Sequence, residues 1–152
     1  MTLLKALLSA VILATCTAAL AADAPKKDDA KKLQGMWRVT KFIDHSEEAA
    51  PAHEIAHFTF EFKGDILTIR KHKNDAGREM KYTLDASKKP KAIDIEIDDR
   101  ASSEGIYKLD GEELMICVVA GSRGDKTAAR PTEFKASKRD VYSLFVLKKV
   151  KK

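Results

Sequence analysis

The chain has 152 residues, 34% of them charged and 44% hydrophobic, with a formal net charge of +5. That length supports one domain with one core. The bases are scattered among nearly as many acids, which argues against the dense basic stripe with interleaved aromatics that marks a nucleic-acid binder.

Residues 1–21 read as a secretory signal peptide. Lys5 gives a positive start, "ALLSAVILAT" is an apolar run too short to span a bilayer comfortably, and Ala19-Leu20-Ala21 has the small residues a signal peptidase needs. Cleavage after Ala21 would leave a protein of the periplasm or the extracellular space with no membrane span. An uncleaved anchor is one alternative. A lipoprotein acylated at Cys16 is another, although Thr15 is a poor residue ahead of a lipidated cysteine. Without Lys5 the chain keeps 27 basic and 23 acidic residues, a net charge of +4. The basic tail "LKKVKK" reads as a solvated end. Cys16 departs with the signal, so Cys117 has no intramolecular disulfide partner. Its apolar setting, "ELMICVV", predicts a small buried core residue rather than an exposed reactive thiol.

Residues 22–32, "ADAPKKDDAKK", offer little apolar surface to bury and are expected to form a flexible linker. From Leu33 onward the period is two, which predicts half-buried antiparallel strands. "GMWRVTKFI" places Trp37, Val39, Lys41 and Ile43 on one face. "HFTFEFKGD" aligns Phe58, Phe60 and Phe62, and "ILTIRKH" follows across the Gly64-Asp65 turn. "REMKYTLD" aligns Met80, Tyr82 and Leu84, and "KAIDIEID" aligns Ile93, Ile95 and Ile97. "EGIYKLD", "ELMICVV" and "VYSLFVLKK" complete eight runs, with Asp110-Gly111 as a tight-hairpin signal. Two connections are longer, 44–57 and 120–140. Eight short strands in a meander are expected to close into a barrel, which removes exposed edges.

These stretches resemble a known family. "LQGMW" resembles the opening of a lipocalin, in which Gly-x-Trp starts the first strand. "FTFEFKGDILTI", "YTLDASKKPKAIDI", "GIYKLDGEELMIC", "RPTEF" and "LFVLKK" are similar, in order, to a small lipocalin-like domain family found in many copies in planctomycete bacteria. The resemblance covers nearly all of residues 33–150. It implies an exported, all-β, eight-stranded antiparallel barrel of unknown activity, and it supplies no catalytic residues. True lipocalins carry an Arg near the end of the last strand, packed on the first-strand Trp. Here Lys148 or Lys149 occupies that neighbourhood, which puts the cation–π closure in question.

Within residues 44–57, His53-Glu54-Ile55-Ala56-His57 matches the H-E-x-x-H pattern of zinc hydrolases. That chemistry needs both histidines on one face of a long helix and a third ligand from downstream. Pro51 and the strand opening at Phe58 leave room for about two turns, and no Gly-x-x-His follows. The expectation is one short helix in the first long loop, lying as a lid with Ile55 and Phe58 inward and His53 in solvent. His53 and His57 remain weak metal candidates, and no cofactor is expected.

The expected function is non-catalytic binding of a small, largely apolar ligand by a monomer. The candidate cavity residues are Trp37, Val39, Lys41, Phe60, Tyr82, Ile95 and Ile116. Trp37 also reads as a plug at the closed end, and Lys41 as a mouth residue that meets an anionic head or snorkels out. Arg130 and Glu133 of "ARPTEF" are either a clip for the long loop or a rim contact. The alternative function is a packed barrel serving as a cell-envelope interaction or inhibitor module. Zinc hydrolysis through His53, Glu54 and His57 is a third.

Overall fold

The computed structural model describes residues 24–99, 101–120 and 128–151. The signal peptide expected over residues 1–21 lies outside them. The eight expected strands are all present. They are β1 (Gly35–Ile43), β2 (Thr59–Lys63), β3 (Ile66–Arg70), β4 (Arg78–Asp85), β5 (Lys91–Asp98), β6 (Ala101–Asp110), β7 (Glu113–Val119) and β8 (Tyr142–Lys149). Each pairs antiparallel with its neighbour in sequence, and β8 pairs back onto β1, so the sheet is a closed ring. The chain is thus an all-β, eight-stranded antiparallel barrel of the lipocalin-like kind.

Alternation sets the inner wall. Trp37, Val39, Phe60, Phe62, Leu67, Tyr82, Ile93, Ile95, Tyr107, Leu114, Ile116, Val118 and Leu147 are buried in one core. The outward residues of three strands are buried as well. Ile106 of β6, Cys117 of β7 and Leu144 of β8 form a second cluster with Ala136, flanked by Phe134 and Tyr142. Residues 134–136 therefore lie over the outside of the barrel in that sector. Between β6 and β7 the backbones approach closely at Gly105. A Cβ there would stand 2.5 Å from Val118 Cγ1 and 2.7 Å from Cys117 O.

The expectation of a flexible linker over residues 22–32 is corrected. Ala24–Leu33 forms a helix, α1. Apolar content alone did not show this, because polar bonds as well as Leu33 tie the helix to the barrel. Leu33 is fully buried, while Asp29 accepts hydrogen bonds from Tyr107 Oη (2.9 Å) and Lys91 Nζ (2.6 Å). Trp37 Nε1 donates to Leu33 O at 2.7 Å.

α1 closes one end of the barrel. Gln34 reinforces that end. It accepts from Gly64 N at 2.7 Å and donates to Tyr82 Oη at 3.1 Å, and Tyr82 Oη donates to Gly64 O at 2.9 Å. Lys149 completes it, with Nζ 5.0 Å from the Trp37 ring centroid and donating to Lys32 O. A lysine thus makes the cation–π contact that the missing arginine had put in question.

Candidate functional site

The opposite end carries the connection from β1 to β2 and a cavity of about 520 Å³. Its walls are Phe42 (β1), Phe58, Phe60 (β2), Ile69 (β3), Met80 (β4), Ile95 and Ile97 (β5), Ile116 and Val118 (β7) and Phe145 (β8). Four of these are phenylalanines in mutual contact. Phe42 stacks on Phe145 with ring centroids 4.6 Å apart, and Phe58 meets Phe145 edge-on at 5.8 Å. Phe60 lies 5.2 Å from Phe145 and 5.7 Å from Phe58. The size and apolar lining suit a small organic ligand, since such pockets typically span roughly 300–1,000 Å³.

Polar groups are few in the wall. Ser103 Oγ is already committed to Val119 O at 2.7 Å. The charged lining residues Lys71, Asp75 and Arg78 all belong to the connection between β3 and β4 or to the first residue of β4. Asp75 is occupied by its own loop, accepting from Lys71 N and Gly77 N at 2.9 Å each. Those two bonds, the one from Lys71 first, hold its carboxyl below its ordinary pKa.

Of the seven cavity candidates, Phe60, Ile95 and Ile116 line this space. Trp37 and Tyr82 belong to the closed end, where their polar tips are tied to Leu33 and Gly64. Val39 is buried in the core between the two ends and is not part of the cavity wall. Lys41 is corrected more sharply. The pairing of β1 with β8 shifts register between Val39 and Lys41. That bulge reverses the alternation, so Lys41 is exposed and Phe42 turns inward. Ile43 then falls on the outer cluster instead of the inner wall. Phe42 and Phe145 are the cavity residues that strict alternation missed on β1 and left unassigned on β8.

The short helix in the first long loop is α2 (Ala52–Ile55). Ile55 and Phe58 are buried and His53 is exposed, as expected of a lid. The loop is anchored by Ala50 N to Phe42 O and by Val39 N to Phe58 O, both 2.9 Å. Four residues make one turn, and His57 falls beyond the helix. His53, Glu54, His57 and His72 border a second pocket of about 410 Å³, which shares Phe42, Phe58 and Lys71 with the cavity. Among the described residues no three of His, Cys, Asp or Glu form a group able to hold a metal.

Arg130 and Glu133 are not at the cavity. Arg130 lies across β5 and β6 on the outer wall. Its Nη1 donates to Gly105 O (2.7 Å) and Ile93 O (3.3 Å). The same guanidinium lies 2.6 Å from Asp94 and 3.6 Å from Glu104, which are paired partners on the two strands. Pro131 is buried beside it, and Glu133 is exposed. This is the clip rather than the rim contact. Under the clipped segment Cys117 Sγ donates to Lys135 O at 3.5 Å, and burial pushes its thiol pKa up. Both make it a poor nucleophile.

Comparison with family models, with curated proteins and with solved structures finds no match. The reading of this site therefore rests on its own geometry.

Proposed function

We propose that this protein is an exported, non-catalytic binder of a small, largely apolar ligand, held at the open end of the barrel. The observation that carries the reading is the aromatic lining at one end, where about 520 Å³ is walled by Phe42, Phe58, Phe60, Phe145 and Ile95. At the other end Trp37 and Tyr82 are buried and tied to Leu33 and Gly64, and the space of about 860 Å³ there is bordered by the polar residues Gln34, Glu61, Lys63, Glu112 and Lys151. A barrel serving only as a packed interaction module would have no need of an unfilled, aromatic-lined end. Export is supported by the sequence of residues 1–21. Zinc hydrolysis has little support, because His57 falls beyond the one-turn helix that carries His53 and no third ligand stands beside them among the described residues.

The test is a thermal-shift screen of fatty acids, quinones and hydrophobic dyes on the wild type and on Ile95→Trp. Ile95 is buried in the cavity wall. A ligand at a hundredfold excess over Kd adds about 2.7 kcal/mol, a melting shift of about 5 °C or more for a domain this size. Ile95→Trp should fill the space and abolish that shift at little cost in stability. If no compound shifts the wild type and Ile95→Trp instead costs about 1–3 kcal/mol by overpacking, the end is filled and the interaction module becomes the better reading.

A further inference from the structure

We infer that the cavity is built for an amphipathic ligand with a single anionic head, its apolar chain inside and its head held at the mouth by Lys71 and Arg78. This rests on the ligand-binding reading above and adds the chemistry of the head.

The placement of the two cations carries the inference. Along β3 the inward positions are Leu67 and Ile69, and the same parity continues to Lys71 just beyond the strand. Along β4 the inward positions are Met80, Tyr82 and Leu84, and the same parity begins at Arg78. Arg78 is the direct partner of Ile69 across the two strands. Both cations therefore extend inward, apolar stripes to the lip of the cavity, and both line it. Their heads are kept there. Arg78 Nη2 donates to Ile97 O at 2.9 Å, which engages one of five guanidinium N–H groups. Lys71 Nζ lies 6.0 Å from the ring centroid of Phe58, itself a wall residue.

The third charged group at the lip, Asp75, is tied back by Lys71 N and Gly77 N and keeps its negative charge. The lip therefore sets two cations against one carboxylate, a net charge of +1, and no charged lining residue stands deeper in the wall. An ionised head has no compensating partner inside and is expensive to bury there. At the lip it meets two donors, one of them a planar fork suited to a carboxylate. The same lip offers a neutral chain of equal length nothing beyond its apolar walls.

The test compares hexadecanoic acid with hexadecanol by displacement of a hydrophobic fluorescent dye at neutral pH, using the wild type, Lys71→Met/Arg78→Met and Lys71→Glu. The acid should bind the wild type about tenfold more tightly than the alcohol, as expected of two partly exposed ion contacts. That advantage should fall with added salt. In the double variant the acid-to-alcohol affinity ratio should fall to about one. Lys71→Glu, at an exposed position, should push that ratio below one. Urea midpoints verify that each variant is folded. If acid and alcohol bind the wild type equally, the head-group inference fails and the apolar-cavity reading stands. An acid advantage that survives both variants also overturns the assignment to Lys71 and Arg78. If neither compound nor the dye binds, the cavity reading itself fails and takes this one with it.

Discussion

Asp29→Ala is the most informative single change outside the cavity. Asp29 sits in α1, is 8% exposed, and is the shared acceptor of Tyr107 Oη and Lys91 Nζ. Tyr107 is 1% exposed, so removing its acceptor strands a buried hydroxyl. A hydrogen bond to a charged group contributes about 1.5–3 kcal/mol, with the unsatisfied donor as part of that loss. Lys91 is partly exposed, regains water, and adds less than about 1 kcal/mol. Alanine is the better helix former by about 0.5 kcal/mol, which works in the opposite direction. The net loss is about 2–3 kcal/mol. At roughly 2 cal/mol/K per residue, a domain of this size should then melt about 8–12 °C lower. The assay is urea and thermal unfolding of wild type, Asp29→Ala, Tyr107→Phe and the double variant, where the second change should add little to the first.

The pH dependence fixes the sign independently. Burial raises the Asp29 pKa, but the bonds from Lys91 and Tyr107 and the charges of Lys91 and Lys32 outweigh it, so the folded pKa lies below the ordinary value. The folded state therefore binds fewer protons than the unfolded one. The contribution is present above the ordinary carboxyl pKa and lost as pH falls through the lower, folded one. The gap between wild type and Asp29→Ala should hold from neutrality to about pH 4 and shrink below it. A loss under about 0.5 kcal/mol at neutral pH, or additive effects in the double variant, would refute the docking of α1 through Asp29.

Two further outcomes are expected. Arg130→Ala should cost about 1–3 kcal/mol, because two carbonyls lose their donor and the Asp94 carboxylate loses its ion-pair partner, and Cys117 should react faster with a thiol reagent as the segment above it loosens. Mass spectrometry of the protein recovered from its host should find Ala22 as the N-terminus, whereas an acylated Cys16 would replace the soluble reading with a membrane-attached one.

Alternation of apolar residues is a property of local sequence, which is why the strands, their inward stripes and the Asp110-Gly111 turn were legible before the structure. The β6–β7 hairpin pairs Asp110 with Glu113, and Gly111 takes φ 58° in the two-residue loop. A bulge is set by pairing with another strand, and nothing in "VTKFI" marks it, so Lys41 and Phe42 exchanged faces. The long-range partners of Asp29 were illegible for the same reason, since Lys91 and Tyr107 are 62 and 78 residues away. The short helix α2 was readable because Pro51 and the strand after Phe58 bracket it. The two cations at the lip were readable in principle, by extending each inward stripe one step past its last apolar residue. "ELMICVV" also foretold a buried Cys117, but not that the burying surface would be the far side of the wall.

Ring closure has a consequence for the order in which the domain is made. The seam joins β1 to β8, and Thr40 Oγ1 donates to Val146 O across 106 positions of chain. No subset of the first seven strands can satisfy β1 on both sides, and Lys149 is needed to cover Trp37. Synthesis from the N-terminus therefore yields an open sheet with two bare edges until the last strand arrives. Contacts this distant in sequence also slow folding. The ring, and the cover over Trp37, are therefore among the last features of the domain to form.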